Sequence, residues 1–82
     1  MVEVYILKSV HFPKTYVGIT TDLRRRLLEH NAGQGAYTKR YKPWGILYSE
    51  EYGTMIEARK REKYLKSGTG RKFIAEVLSI PR

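Results

Sequence analysis

Glu62 is the acidic residue whose position most needs an explanation. In the run Met55-Ile-Glu-Ala-Arg-Lys-Arg-Glu-Lys-Tyr-Leu65, Met55, Ala58 and Leu65 make an apolar stripe, and at 100° per residue Glu62 falls inside it. A carboxylate turned toward a core is costly unless it is paired, hydrogen-bonded or holding a cation. An ion pair to a nearby Arg or Lys answers that need as well as a bound cation does. Arg26 and His30 are four apart, so on a helix they share a face bordering Leu23 and Leu27. Taken singly, Arg26 reads as one of the solvated cations Arg24-Arg25-Arg26, and His30 as a helix-terminal histidine near the last carbonyls. Tyr5 and Tyr16 lie in two β-rich runs and can project to a shared face. Gly18, inside the second run, implies a bulge or a close approach to the main chain. Tyr37 to Trp44 interleaves Lys39, Arg40 and Lys42 with Tyr41 and Trp44. That mixture suits phosphate contact with base stacking, and equally a solvated loop.

The elements that must position these residues can be read from periodicity and breakers. Val2 to Lys8 is a mostly apolar β-branched and aromatic run and predicts a central strand. Ser9 to Lys14, with Pro13, is a turn. Thr15 to Thr20 is a second strand, so the two form an antiparallel hairpin. Thr20, Thr21 or Asp22 caps a first helix carrying Leu23, Leu27 and Leu28, which stops at Asn31-Ala32-Gly33. Residues 34–43 lack a period and read as an exposed loop, and Trp44 to Tyr52 as a third strand. Thr54-x-x-Glu57 has capping-box spacing and starts a second helix running to about Lys66. Gly68-Thr69-Gly70 breaks it, and a short third helix from about Arg71 ends before Pro81. The predicted fold is α/β (α+β), a three-stranded antiparallel sheet flanked by helices in the order β-β-α-β-α-α. Gly68-Thr-Gly70-Arg-Lys72 lacks the spacing of a phosphate-binding loop, and Gly33-Gln-Gly35 is a lone glycine pair.

Eighty-two residues make one domain, 1–82, near the size at which a single core only just offsets chain entropy. The 41% hydrophobic content separates it from a disordered basic tail. Sixteen Lys plus Arg against eight Asp plus Glu give +8, which favours a polyanionic partner. With no cysteine there is no disulfide framework or thiolate zinc site, and the cytoplasm is the expected location. No apolar run reaches membrane-spanning length, so no membrane partner is expected. Nothing in the sequence sets an oligomeric state.

Val4-Tyr5-Ile6, then Tyr16-Val17-Gly18, then Asp22-Leu23-x-x-Arg26-Leu27 and His30 together resemble the GIY-YIG nuclease family. Glu57-Ala58-Arg59-Lys60-Arg61-Glu62 with Leu65-Lys66 is similar to the family's helix bearing its metal-binding glutamate, at Glu62. The resemblance runs from about Glu3 to Lys66 and is closest to the small stand-alone bacterial members. Other members are excision-repair incision nucleases, branched-DNA nucleases, homing endonucleases and some restriction enzymes, so DNA is the implied substrate. The chain departs from the pattern at three places: Val4 replaces the first glycine, Ile19 a frequent lysine, and Ile74 a downstream asparagine.

The resemblance implies a metal-dependent endonuclease, a hydrolase of phosphodiester bonds. It makes Tyr5, Tyr16, Arg26, His30 and Glu62 the catalytic set. Glu62 would hold one Mg²⁺ or Mn²⁺, a hard cation suited to carboxylate and water. Arg26 would clamp a phosphate oxygen, and Tyr5 would be the general base, assisted by nearby positive charge. Tyr16 and His30 would orient water or relay its proton, and Gly18 would leave space for substrate. Arg24, Lys39, Arg40, Tyr41 and Trp44 complete the expected substrate contacts. Two further readings remain: a catalytically weak nucleic-acid-binding module on the same fold, and a basic protein that docks on ribosomal RNA or a protein partner.

Overall fold

The fold is described from a computed structural model covering residues 1–79. Strand β1 (Val2–Ser9) lies between β2 (Thr15–Thr20) and β3 (Trp44–Tyr52), antiparallel to both, giving the order β2-β1-β3. The apolar run Val4 to Leu7 within β1 is explained by this central place, because both its faces are covered. Val4, Ile6 and Val17 pack on one side against Ala58, Leu65 and Ile74. Tyr5, Leu7 and Trp44 pack on the other, with Leu23 and Leu27 against them. Between Ile6 and Leu7 the register with β3 shifts, leaving Tyr48 opposite Ile6 and Ile46 opposite Leu7.

Helix α1 (Leu23–Asn31) starts at Asp22, whose Oδ1 accepts from the Arg25 amide at 3.1 Å. It ends before Gly33, which takes a φ of 88° that favours glycine. Leu28, placed in the apolar stripe by its spacing, points outward and is 65% exposed. The stretch 34–43, expected to be a loop, contains a short helix, α2 (Ala36–Arg40). Five residues are too few for a periodic signal. It is anchored instead by Thr38, which is 1% exposed.

Helix α3 (Met55–Leu65) is capped by Thr54, whose hydroxyl accepts from the Glu57 amide at 3.2 Å and donates to the Glu57 carboxylate at 3.0 Å. Met55 does not join the stripe; it is 40% exposed, and Ala58 and Leu65 alone are buried. Helix α4 runs Gly68–Ser79, so Gly68-Thr69-Gly70 forms its first turn rather than a gap before it. A Cβ on Gly70 would collide with the main chain of Tyr64 and Leu65. The glycine therefore serves close packing of α4 on the end of α3. The predicted stop at Pro81 lies outside the described residues. None of the described helices is long and apolar enough to cross a membrane.

Candidate active site

Strand pairing places Tyr5 directly opposite Gly18. With no side chain there, the Tyr5 ring lies over the β2 main chain. A Cβ on Gly18 would stand 2.5 Å from Tyr5 Oη and 2.7 Å from its Cζ. The close approach anticipated at Gly18 is therefore real, but the group approaching is Tyr5, not substrate. The expectation that Gly18 leaves room for substrate is corrected accordingly.

The Tyr5 hydroxyl, on a residue 1% exposed, lies 3.0 Å from Nε2 of His30, and Nδ1 of His30 lies 2.8 Å from Oγ1 of Thr38. The three side chains form a buried polar chain from the central strand through α1 to α2. Burial raises the Tyr5 phenol above its ordinary value; the Arg26 guanidinium facing it pulls the other way, and Tyr16 and the charge of Glu62 add to the rise. Burial likewise lowers the His30 imidazole, Arg26 lowers it further, and Glu29 opposes both. Both groups are thus neutral near pH 7. Arg26 can only donate toward the Tyr5 oxygen; one tautomer of His30 accepts from Tyr5 at Nε2 and donates from Nδ1 to Thr38, and the other reverses both roles.

Tyr16 closes the site at its edge, its ring centroid 6.3 Å from Tyr5 and 4.9 Å, edge-on, from His30. Arg26 is held by Glu29, Nη1 to Oε1 at 2.9 Å. Glu62 comes from α3 with its side chain 21% exposed, bonded to Lys66 Nζ at 3.1 Å. That i,i+4 pair supplies the partner the stripe called for. The placement of α3 is fixed by the preceding residue: Arg61 makes a two-pronged bond to Glu50 of β3, at 2.9 and 3.0 Å. Glu50 also accepts from the hydroxyls of Tyr48 and Tyr52. Burial alone would raise its carboxyl, but Arg61 and the two phenols outweigh it and hold it below the ordinary range.

The substrate contacts expected from sequence divide. Arg24, Lys39 and Arg40 are exposed, and Tyr41 is half-buried, its ring flanked by Phe12, Tyr37 and Lys14. Trp44 is 3% exposed, and its Nε1 donates to the Thr38 carbonyl at 2.8 Å. It is a core residue that braces α2, so the stacking surface expected there is corrected to a structural role. Asn31 adds to this brace: its side chain accepts from the Trp44 amide at 2.7 Å and donates to the Trp44 carbonyl at 3.1 Å. Thr38 was not singled out in the sequence, and Asn31 and Gly35 were read only as part of a helix stop and of a lone glycine pair. A Cβ on Gly35 would stand 2.5 Å from Thr38 Oγ1, so Gly35 makes room for Thr38 as Gly18 does for Tyr5. The signal was present in the spacing Gly35-x-x-Thr38 that follows His30.

Among the described residues no three His, Cys, Asp or Glu side chains cluster around a metal position. A single carboxylate suits Mg²⁺ or Mn²⁺, which keep several waters and share ligation with substrate phosphate, and does not suit zinc. Glu62, beside the Tyr5 phenol whose ionisation it opposes, fits such a one-carboxylate site.

The GIY-YIG catalytic domain profile matches residues 1–73. The chain belongs to the GIY-YIG family. Domains of this family are of nuclease type, act on nucleic acid and generally use divalent metal ions. The chain is 39% identical over 69 residues to a UPF0213 protein of Bacillus pumilus, covering 83% of this chain and 69% of that one. It is 43% identical over 70 residues to a UPF0213 protein of Staphylococcus aureus, covering 84% of each. The solution NMR structure of the UPF0213 protein BH0048 from Bacillus halodurans superposes with a TM-score of 0.57 at 29% identity, over 99% of this chain and 89% of that one. The three-stranded sheet and its helices are the fold expected for this GIY-YIG member.

Proposed function

We propose that the chain is a metal-dependent endonuclease that hydrolyses phosphodiester bonds, with DNA as substrate, in repair or recombination of branched or damaged strands. The observation that carries this reading is the buried Tyr5–His30 bond beside Arg26. It joins a group able to take a proton from water, a group able to receive it onward, and a cation for the phosphate.

A neutral phenol is a poor base on its own. At 3.0 Å from Nε2, however, Tyr5 can pass its proton to neutral His30 as it accepts one from the attacking water, so no free phenolate has to accumulate. Water would enter past the half-exposed Tyr16 ring. With the imidazole hydrogen on Nδ1 and donated to Thr38, Nε2 would be free to accept. Arg26, pre-aligned by Glu29, would hold a non-bridging oxygen. Glu62 would hold the divalent cation, which when bound supplies charge stabilisation at the phosphate and leaving oxygen. Lys39 and Arg40 on α2 and Arg24 on α1 would steer the polyanion.

The Glu62–Lys66 pair is also what a binding-only module would carry, and the substitution Glu62→Gln separates the two. Lys66, the cation that would lose its partner, is 53% exposed and stays hydrated, so the change should alter stability by no more than about 1 kcal/mol. Cleavage of a panel of nicked, flapped, branched and duplex DNA in Mg²⁺ or Mn²⁺ should fall at least roughly 100-fold. Wild-type binding without cleavage on every substrate would leave the binding-only module as the function.

A further inference from the structure

Beside the Tyr16 wall lies a cavity of about 350 Å³, floored by Val17, Leu65 and Ile74 and rimmed by Tyr37, Lys66 and Arg71. A second cavity of about 350 Å³ shares Thr15, Arg71 and Ile74 with it and continues to Pro13 and Leu78. The two form one trough between the outer strand β2 and helix α4.

We propose that this trough is a subsite for the nucleotide flanking the scissile phosphate, with that nucleotide's own phosphate on Arg71 and its sugar and base edge on the apolar floor. The inference rests on the nuclease reading for what lies next door, and on four features of the trough itself. It is continuous with the reacting centre, since Tyr16 is a wall of both and Lys66 stands one turn beyond Glu62. Arg71 is exposed and makes no ion pair among the described residues, so its guanidinium is available to an anion. Lys8, which lines the far end, is instead committed to the carbonyls of Ser9 and Phe12 at 2.6 and 2.7 Å. Among the described residues no acidic side chain lines either cavity. An apolar floor under a cationic rim fits an anion with a hydrophobic body. A wholly apolar guest would leave the Arg71 charge unused, and a bare inorganic anion would leave the floor unused. Each cavity is also at the small end of ligand-sized sites, roughly 300–1,000 Å³.

The test is a charge-neutralisation cycle on the cleavage-silent Glu62→Gln protein. Fluorescence anisotropy at low salt is measured on DNA carrying one uncharged methylphosphonate, moved phosphate by phosphate. One position should weaken binding about tenfold. In the Arg71→Gln, Glu62→Gln protein that position alone should lose its effect, whereas Lys72→Gln, Glu62→Gln should keep it. A melting curve confirms that each variant is folded. Superposable scans with and without Arg71 would overturn the subsite, as would an absence of DNA binding. A concentration-dependent dimer abolished by Arg71→Gln alongside a flat scan would overturn it in favour of a second copy. Because the cycle reads binding alone, it can succeed where the wild type fails to cleave, or fail where the wild type cleaves, so the two readings fall separately.

Discussion

Substitution of Gly18 by alanine tests how the candidate site is built. The added methyl would sit 2.5 Å from Tyr5 Oη, 2.7 Å from Tyr5 Cζ and 3.1 Å from Tyr16 Cε2. Comfortable carbon contacts are about 3.5–4.0 Å, so the Tyr5 ring has to retreat by on the order of 1 Å. It has little room to do so. Tyr5 is 1% exposed, Leu7 and Trp44 share its cluster, and its hydroxyl is fixed to His30 at 3.0 Å. Overpacking of this kind costs about 1–3 kcal/mol, which in a domain of this size lowers the melting temperature by roughly 4–8 °C per kcal/mol. A misplacement of about 1 Å also costs a catalysed reaction on the order of 100-fold. Thermal melts followed by circular dichroism and single-turnover nicking in Mn²⁺ would measure both effects. In a Tyr5→Phe background, which lacks the oxygen that meets the methyl first, the stability cost should shrink. If alanine leaves the melting temperature unchanged and raises only KM, the space over Gly18 belongs to substrate and the packing argument is refuted.

Thr38→Val removes the hydroxyl that fixes the His30 ring while keeping its volume; cleavage should drop about 10- to 100-fold, as when an orienting partner of a functional imidazole is lost. Thr38→Ser should restore most of it, and equal rates in all three proteins would dismiss the contact. The His30 pKa is depressed in the fold, so its contribution to stability is present above the unfolded value of about 6.5 and is lost as pH falls through the lower folded value. The melting temperature should therefore decline between pH 7 and 5, and His30→Gln should flatten that slope. Trp44→Ala should cost about 3–5 kcal/mol without a selective loss of single-strand affinity; a stable variant that binds single strands poorly would return Trp44 to the substrate surface.

The three strands, the central place of β1 and the cap at Thr54 were legible because each depends on local pattern, whereas the cap of α1 was narrowed only to Thr20, Thr21 or Asp22. The pairing of Tyr5 with His30 was not, since it joins residues 25 apart that neither a helical wheel nor a strand alternation brings together. Thr38 escaped for a related reason: it lies in a helix of five residues, and its burial comes from contacts with α1 and Trp44 rather than from any stripe. Glu62 was flagged by a stripe that included Met55, which the fold leaves exposed. The flag still led to a carboxylate that needs a partner, and Lys66 was the cation already in reach. Trp44 was misjudged because an aromatic beside lysines reads the same whether its ring faces a base or a core.

The double bond of Asn31 to the main chain of Trp44 also bears on how the molecule opens. Helix ends usually fray at little cost, ahead of global unfolding. Here the last residue of α1 is stapled to the first residue of β3, so the end of the helix cannot peel away without disturbing the sheet. His30, one residue earlier, inherits that restraint. Amide exchange at the end of α1 should then follow the exchange of β3 rather than the faster rate of an ordinary helix terminus, and Asn31→Ala should uncouple them. His30, 1% exposed, should then lie in a slow-exchanging part of the protein, although the residues of α2 other than Thr38 are exposed.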